Sequence, residues 1–171
     1  MAEVKGKFIT LGCHLMSAYP AAQAGANDYL KKETGTEWNG LEQEGWYNTR
    51  IFNTVMELYA KSSIAGESAI VTLGRKVYPT IKKTVGIPEH IKTPLDFIHY
   101  EAEGFLQNHR GDDVVPRKII KDVDREVIVH APAPGYNVRL YEGVFIGILE
   151  MCGIKSGKVE NIGNSTFAIT W

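Results

Sequence analysis

The stretch Tyr136-Asn-Val-Arg139-Leu-Tyr-Glu-Gly143-Val-Phe-Ile-Gly147-Ile-Leu-Glu-Met-Cys152-Gly153 decides the fold. Apolar residues run through it, and Gly143 and Gly147 stand four apart, so they share one helix face. Each glycine costs roughly 1 kcal/mol of helix propensity against alanine, and packing has to compensate. Bare backbone on that face admits another element at close range. A buried helix of this kind builds a core or walls a ligand chamber; it is not the frame of a catalytic machine.

The flanking segments read as strands. Lys158 to Ile162, the turn Gly163-Asn164, and Thr166 to Trp171 form a hairpin in which Phe167, Ile169 and Trp171 alternate onto one face. Upstream, Pro116 to Val123 and Glu126 to Ala131 are strand-like runs joined by Asp124-Arg125. Pro132-Ala-Pro134-Gly135 is a rigid connector into the glycine helix. Before these, Thr93-Pro94-Leu95-Asp96 is a helix start with a capping Thr, a proline in the first turn and an acid at the positive end of the dipole. The stripe Leu95, Ile98, Ala102, Phe105, Leu106 carries that helix to a stop near Arg110-Gly111-Asp112.

Further upstream, Lys5 to Leu11 is expected as a short strand or entry segment, Ser17 to Lys32 as a helix, and Thr34 to Gly45 as a loop. Trp46 to Ser62 and Gly66 to Val85 carry apolar residues at helical spacing, with a kink or break expected at Pro79. The predicted fold is therefore α+β: four N-terminal helices, then β-β-α-β-β, with a small antiparallel sheet packed on helices.

Composition narrows the function. The chain has 171 residues, enough for one domain, 1–171. Lys and Arg total 19 against 20 acidic residues, which gives no electrostatic footprint for nucleic acid. No apolar run approaches the roughly 18 residues that span a bilayer, and no segment has the order of a signal peptide. Cys13 and Cys152 make neither a disulfide framework nor a metal-ligand pair. A reduced, cytoplasmic setting is expected.

Conventional catalytic motifs are absent: no Gly-x-Ser-x-Gly, no Walker phosphate loop, no His-Glu-x-x-His, no paired-cysteine zinc pattern. The chain is read as non-enzymatic. Glu142 and Glu150, about two turns apart, read as the solvated edge of the glycine helix. Among five histidines, His109 stands out, four after Phe105 at the end of the Thr93 helix. Two readings are open for it. It caps the helix carbonyls, or its imidazole is an axial ligand to a haem iron.

The segment from Tyr136 to Ile162, with "YEGVFIGILEMCGIKSGKVENI", resembles the C-terminal signature of the 4-vinyl reductase domain superfamily. That superfamily includes subunits of the TRAPP tethering complex and is related to haem-nitric-oxide-binding sensor domains. "HRGDDVVPRKII", from His109 to Ile120, is similar to the family's Arg-Gly turn into its first hairpin, and "GWYNTRIFNTVMELYA" from Gly45 is a fainter match. The resemblance implies an apolar chamber between helices and sheet, binding of a small apolar molecule or haem, a protein partner, and a homodimer. The closing hairpin lacks the cysteines many 4-vinyl reductase domains carry, and the Tyr-x-Ser-x-Arg propionate motif of the haem-nitric-oxide family is not met at Tyr136-Asn-Val138-Arg139.

From these readings the expected function is a non-enzymatic, cytoplasmic small-molecule-sensing or adaptor domain, with Ile98, Phe105, Val144, Ile148 and Phe167 lining an apolar chamber. The alternative is a haem-based gas sensor of the nitric oxide type, with His109 as axial metal ligand and Arg139 near the propionates.

Overall fold

Helix α6 (Arg139–Met151) runs through the centre, and its glycine face dictates what lies beside it. A Cβ on Gly143 would strike the carbonyl of Val71 and sit 2.9 Å from the amide nitrogen of Arg75. One on Gly147 would strike the carbonyl of Arg75. Both contacts are to the backbone of helix α4 (Ser68–Thr84), where Gly74 answers them: its Cβ would lie 2.9 Å from the nitrogen of Val144. Three glycines thus mesh two helices backbone to backbone. Pro79 sharpens this. It has no N–H to give the carbonyl of Arg75 four residues back, and that carbonyl is the one against which Gly147 packs. Of the kink or break expected at Pro79, the break does not occur: α4 runs on through it.

The computed structural model describes residues 1–171. Its architecture is α+β, with six helices and two small antiparallel sheets. The remaining helices are α1 (Gly6–Leu15), α2 (Pro20–Thr34), α3 (Thr49–Ser62) and α5 (Pro94–Asn108). Five helices therefore precede the long hairpin, not four. The additional one, α1, falls where a short strand or entry segment was expected. Its buried residues Gly6, Ile9, Gly12 and Cys13 recur at helical spacing, and only Glu3–Lys5 (β1) is extended.

Strand β1 pairs antiparallel with β2 (Trp46–Asn48) and β3 (His109–Arg110), setting Val4 between Tyr47 and His109. Trp46 to Asn48 is thus strand, not the first turn of a helix. Asn48 ends it by capping α3, its side chain accepting from the Arg50 amide at 2.8 Å. The start of α5 is as expected. Thr93 and Asp96 form a reciprocal capping box.

The second sheet has the order β4-β5-β7-β6, made of β4 (Lys118–Val123), β5 (Glu126–His130), β6 (Lys158–Asn161) and β7 (Thr166–Thr170). Val127, Val129, Phe167 and Ile169 point from its inner face into the core and are fully buried. Phe167 packs on Phe145 of α6, ring centres 5.4 Å apart. Burying each such side chain contributes roughly 1.5–3 kcal/mol, so the sheet and α6 hold one another.

The glycine contacts give a direct test. Gly143→Ala is expected to lower unfolding free energy by about 1–3 kcal/mol in urea denaturation, because the backbone of α4 blocks the methyl group. Gly104→Ala, on α5 with open space around its Cβ direction, is expected to leave stability unchanged or raise it by up to about 1 kcal/mol.

Candidate functional site

Few polar side chains enter the core. Apart from Thr49 at the start of α3, the buried Glu101, His109 and Arg117 gather between α5, α6 and the segments leading into them. Two are on or just after α5. Glu101 and Phe105 lie one turn apart on its buried face, and His109 follows one turn later. Arg117 comes from the segment before β4, and its side chain has 0% exposure. Tyr136 and Tyr141 come from the entry to α6 and its first turn, and both are buried. Asn53 of α3 fixes that entry by accepting from the amide of Asn137 at 3.0 Å.

Arg117 holds the group together. Its Nη2 donates to Glu101 Oε1 at 3.1 Å, its Nε to Oε2 at 3.3 Å, and its Nη1 to the carbonyl of Pro132 at 2.7 Å. The guanidinium plane also contacts two rings: its carbon is 3.5 Å from the centre of Phe105 and 4.0 Å from that of Tyr141. Burial works against its charge, while Tyr141 and Glu101 favour it, and the net effect holds Arg117 above its ordinary value. It stays a cation.

His109 is tied at both nitrogens. Nδ1 donates to the carbonyl of Phe105 at 3.0 Å, which fixes the tautomer and leaves Nε2 as an acceptor. The hydroxyl of Tyr136 donates to Nε2 at 3.1 Å, and that of Tyr141 in turn donates to Tyr136. The imidazole stacks on Phe105 with ring centres 4.3 Å apart. Burial pushes its pKa down to about 4, the Phe105 carbonyl opposing and the Arg117 charge assisting, so it is neutral at pH 7. Every buried side-chain nitrogen and oxygen has a hydrogen-bond partner.

The five residues expected to line a chamber, Ile98, Phe105, Val144, Ile148 and Phe167, are all buried in one continuous apolar core. Phe105 touches the polar group directly, through His109 and Arg117. Arg139 lies apart from that group. It is partly exposed at the start of α6 and pairs with Glu67 at 3.6 Å and Glu142 at 3.7 Å. Glu150 pairs with Arg75 of α4. Two surface clefts, of about 480 and 520 Å³, are lined by none of the five expected residues. Sequence reading missed Glu101 and Arg117. Glu101 carried a signal, a lone acid four before Phe105 on the helix's apolar face, whereas Arg117 sits among charged loop residues that look solvated.

No protein-family model matches the sequence, and no curated protein matches it. Among solved structures, it is similar to an Fe(II) unliganded H-NOX protein, a point mutant, from K. algicida. The match has a TM-score of 0.68 and 14% identity, covering 97% of this chain and 95% of that one. The chain is built on the H-NOX fold. The expected relation to haem-nitric-oxide-binding domains is met at the level of architecture. No helix is long and apolar enough to cross a membrane.

Two measurements test this site. Arg117→Ala strands the Glu101 carboxylate in the core and is expected to cost about 3–5 kcal/mol in urea denaturation. The double variant Arg117→Met/Glu101→Leu removes both charges and is expected to recover most of that loss. The second is pH dependence. The unfolded chain takes up the His109 proton near pH 6.5, but the folded chain only near 4. Stability from this group is therefore complete above about pH 6.5 and falls as pH drops toward 4, by about 3 kcal/mol in all. His109→Gln is expected to flatten the urea-denaturation profile between pH 7 and 4.5.

Proposed function

We propose that the chain is a non-enzymatic small-molecule-sensing or adaptor domain, spanning residues 1–171 and acting in the cytoplasm through what it binds. One observation supports the adaptor form above the others. The space between α5, α6 and the sheet is occupied by this chain's own side chains, in a polar relay with no buried group left unsatisfied. A reaction centre needs a group directed at substrate, and this relay spends its donors and acceptors on itself. The H-NOX architecture supports a sensor class as analogy of fold. The likeness of residues 136–162 to 4-vinyl reductase domains, with a protein partner and homodimer, belongs to the same reading.

The fold raises the question of haem. The residues do not fit it as they stand. An axial imidazole offers the iron its Nε2 lone pair, and here that lone pair accepts the Tyr136 hydroxyl at 3.1 Å. Phe105 stacks on the ring, and Arg139, the expected propionate partner, is engaged by two carboxylates. No three His, Cys, Asp or Glu side chains gather elsewhere to hold a metal. One observation still favours the haem-based gas sensor as second reading. His109 is neutral and of the tautomer that leaves Nε2 unprotonated, the form an axial ligand requires.

The two readings part in a visible absorption spectrum of protein expressed with haem precursor and desalted. The adaptor reading expects no Soret band, and a native mass of one chain or whole multiples of it. A Soret band lost in His109→Ala would replace that reading with the haem sensor. Under the haem reading, Tyr136→Phe frees Nε2 and is expected to strengthen the band.

A further inference from the structure

The four-stranded sheet has two open edges, and they differ. Strand β4 carries a register irregularity between Ile119 and Lys121, a bulge that discourages pairing with a further strand. Strand β6 is regular against β7 at each of its four residues. Its backbone polarity follows from the hairpin. The amide of Ile162 donates to the carbonyl of Thr166 at 2.9 Å, continuing the β6–β7 register by one step. Antiparallel residues alternate between hydrogen-bonded and non-hydrogen-bonded pairs. Residues 158, 160 and 162 therefore spend their backbone groups on β7. Val159 and Asn161 direct theirs outward.

An added antiparallel strand has to match outward-directed residue to outward-directed residue, which leaves few registers for a second copy of β6. Centring the pair on Lys158 or on Glu160 sets like charges face to face. Centring it on Asn161 places Glu160 opposite Ile162 and leaves Lys158 without a partner. Centring it on Val159 sets Lys158 of each copy opposite Glu160 of the other. Both side chains are exposed and sit at non-hydrogen-bonded positions, where cross-strand neighbours are closest. Val159 meets its own copy across the axis, each donating to the other's carbonyl.

We propose that β6 is the seam of a two-fold dimer, in which two copies of this chain join edge to edge into an eight-stranded sheet with Val159 on the axis. The charge pattern Lys158-Val159-Glu160 selects a second copy as occupant, because it is self-complementary in that register alone. A seam this short makes a reversible dimer, not a permanent one.

The experiment is sedimentation velocity of the full chain across a concentration series, with circular dichroism to confirm folding of each variant. The wild-type protein is expected to pass from one chain to two as concentration rises. Lys158→Glu and Glu160→Lys, both at exposed positions, each put like charges opposite one another twice per seam. Each is expected to weaken dimerisation about tenfold or more. Mixing the two single variants restores opposite charges at every position and is expected to give a heterodimer of about wild-type affinity. The double variant Lys158→Glu/Glu160→Lys is expected to recover the homodimer. A wild-type chain that stays monomeric throughout overturns the proposal. So do single variants that dimerise as well as wild type, or a mixture that associates no better than its components.

Discussion

Everything else in this structure depends on how closely α4 and α6 approach. Gly74, Gly143 and Gly147 remove the side chains that would otherwise hold two helices apart, and the carbonyls of Val71 and Arg75 fill the space. The consequence reaches beyond the two helices. With α4 meshed into one face of α6, the opposite faces of α6 are free to meet the sheet through Phe145 and the α5 side through Tyr141. Separating α4 from α6 by the width of an alanine would shift both of those contacts. Interiors packed at crystal-like density transmit such shifts instead of absorbing them.

Within that frame the costly element is the buried ion pair of Arg117 and Glu101. Removing two charges from water is expensive, and the pair recovers this only through good geometry and further hydrogen bonds. Both conditions are met here: two contacts to the carboxylate, one to the carbonyl of Pro132, and two aromatic faces against the guanidinium. The pair also carries positional information. Glu101 belongs to α5, Arg117 to the approach to β4, and Pro132 to the approach to α6. A single side chain therefore ties three segments distant in sequence at one point, which generic apolar packing specifies less sharply.

The large features of this fold were legible in the sequence because they are local. The helix start at Thr93 and Asp96, the alternation of Phe167 and Ile169, and the glycine pair of α6 are each complete within a few residues. What escaped was set by tertiary context. Lys5 to Leu11 reads as a short strand or entry segment, but Gly6 to Leu15 is helical and packs on α3. Trp46 to Asn48 is extended because β1 lies beside it, which no local pattern announces. The site divides the same way. His109 was visible from its place after Phe105, but its partners Tyr136 and Tyr141 and the Arg117–Glu101 pair come together only on folding.

The imidazole of His109 shows how little separates a structural site from a binding one on this fold. Its Nδ1–H is anchored to a backbone carbonyl, the same arrangement that orients histidines whose other nitrogen binds a metal. What takes the other nitrogen is a tyrosine hydroxyl of the same chain. Withdrawing Tyr136 would break its bond to Nε2 and cost about 1–3 kcal/mol for each buried polar group left unpaired. That is the scale on which a single strong ligand contact competes. Any ligand at Nε2 has first to displace this hydroxyl, and Phe105 stacked on the ring and the packed core around it oppose the exchange as well.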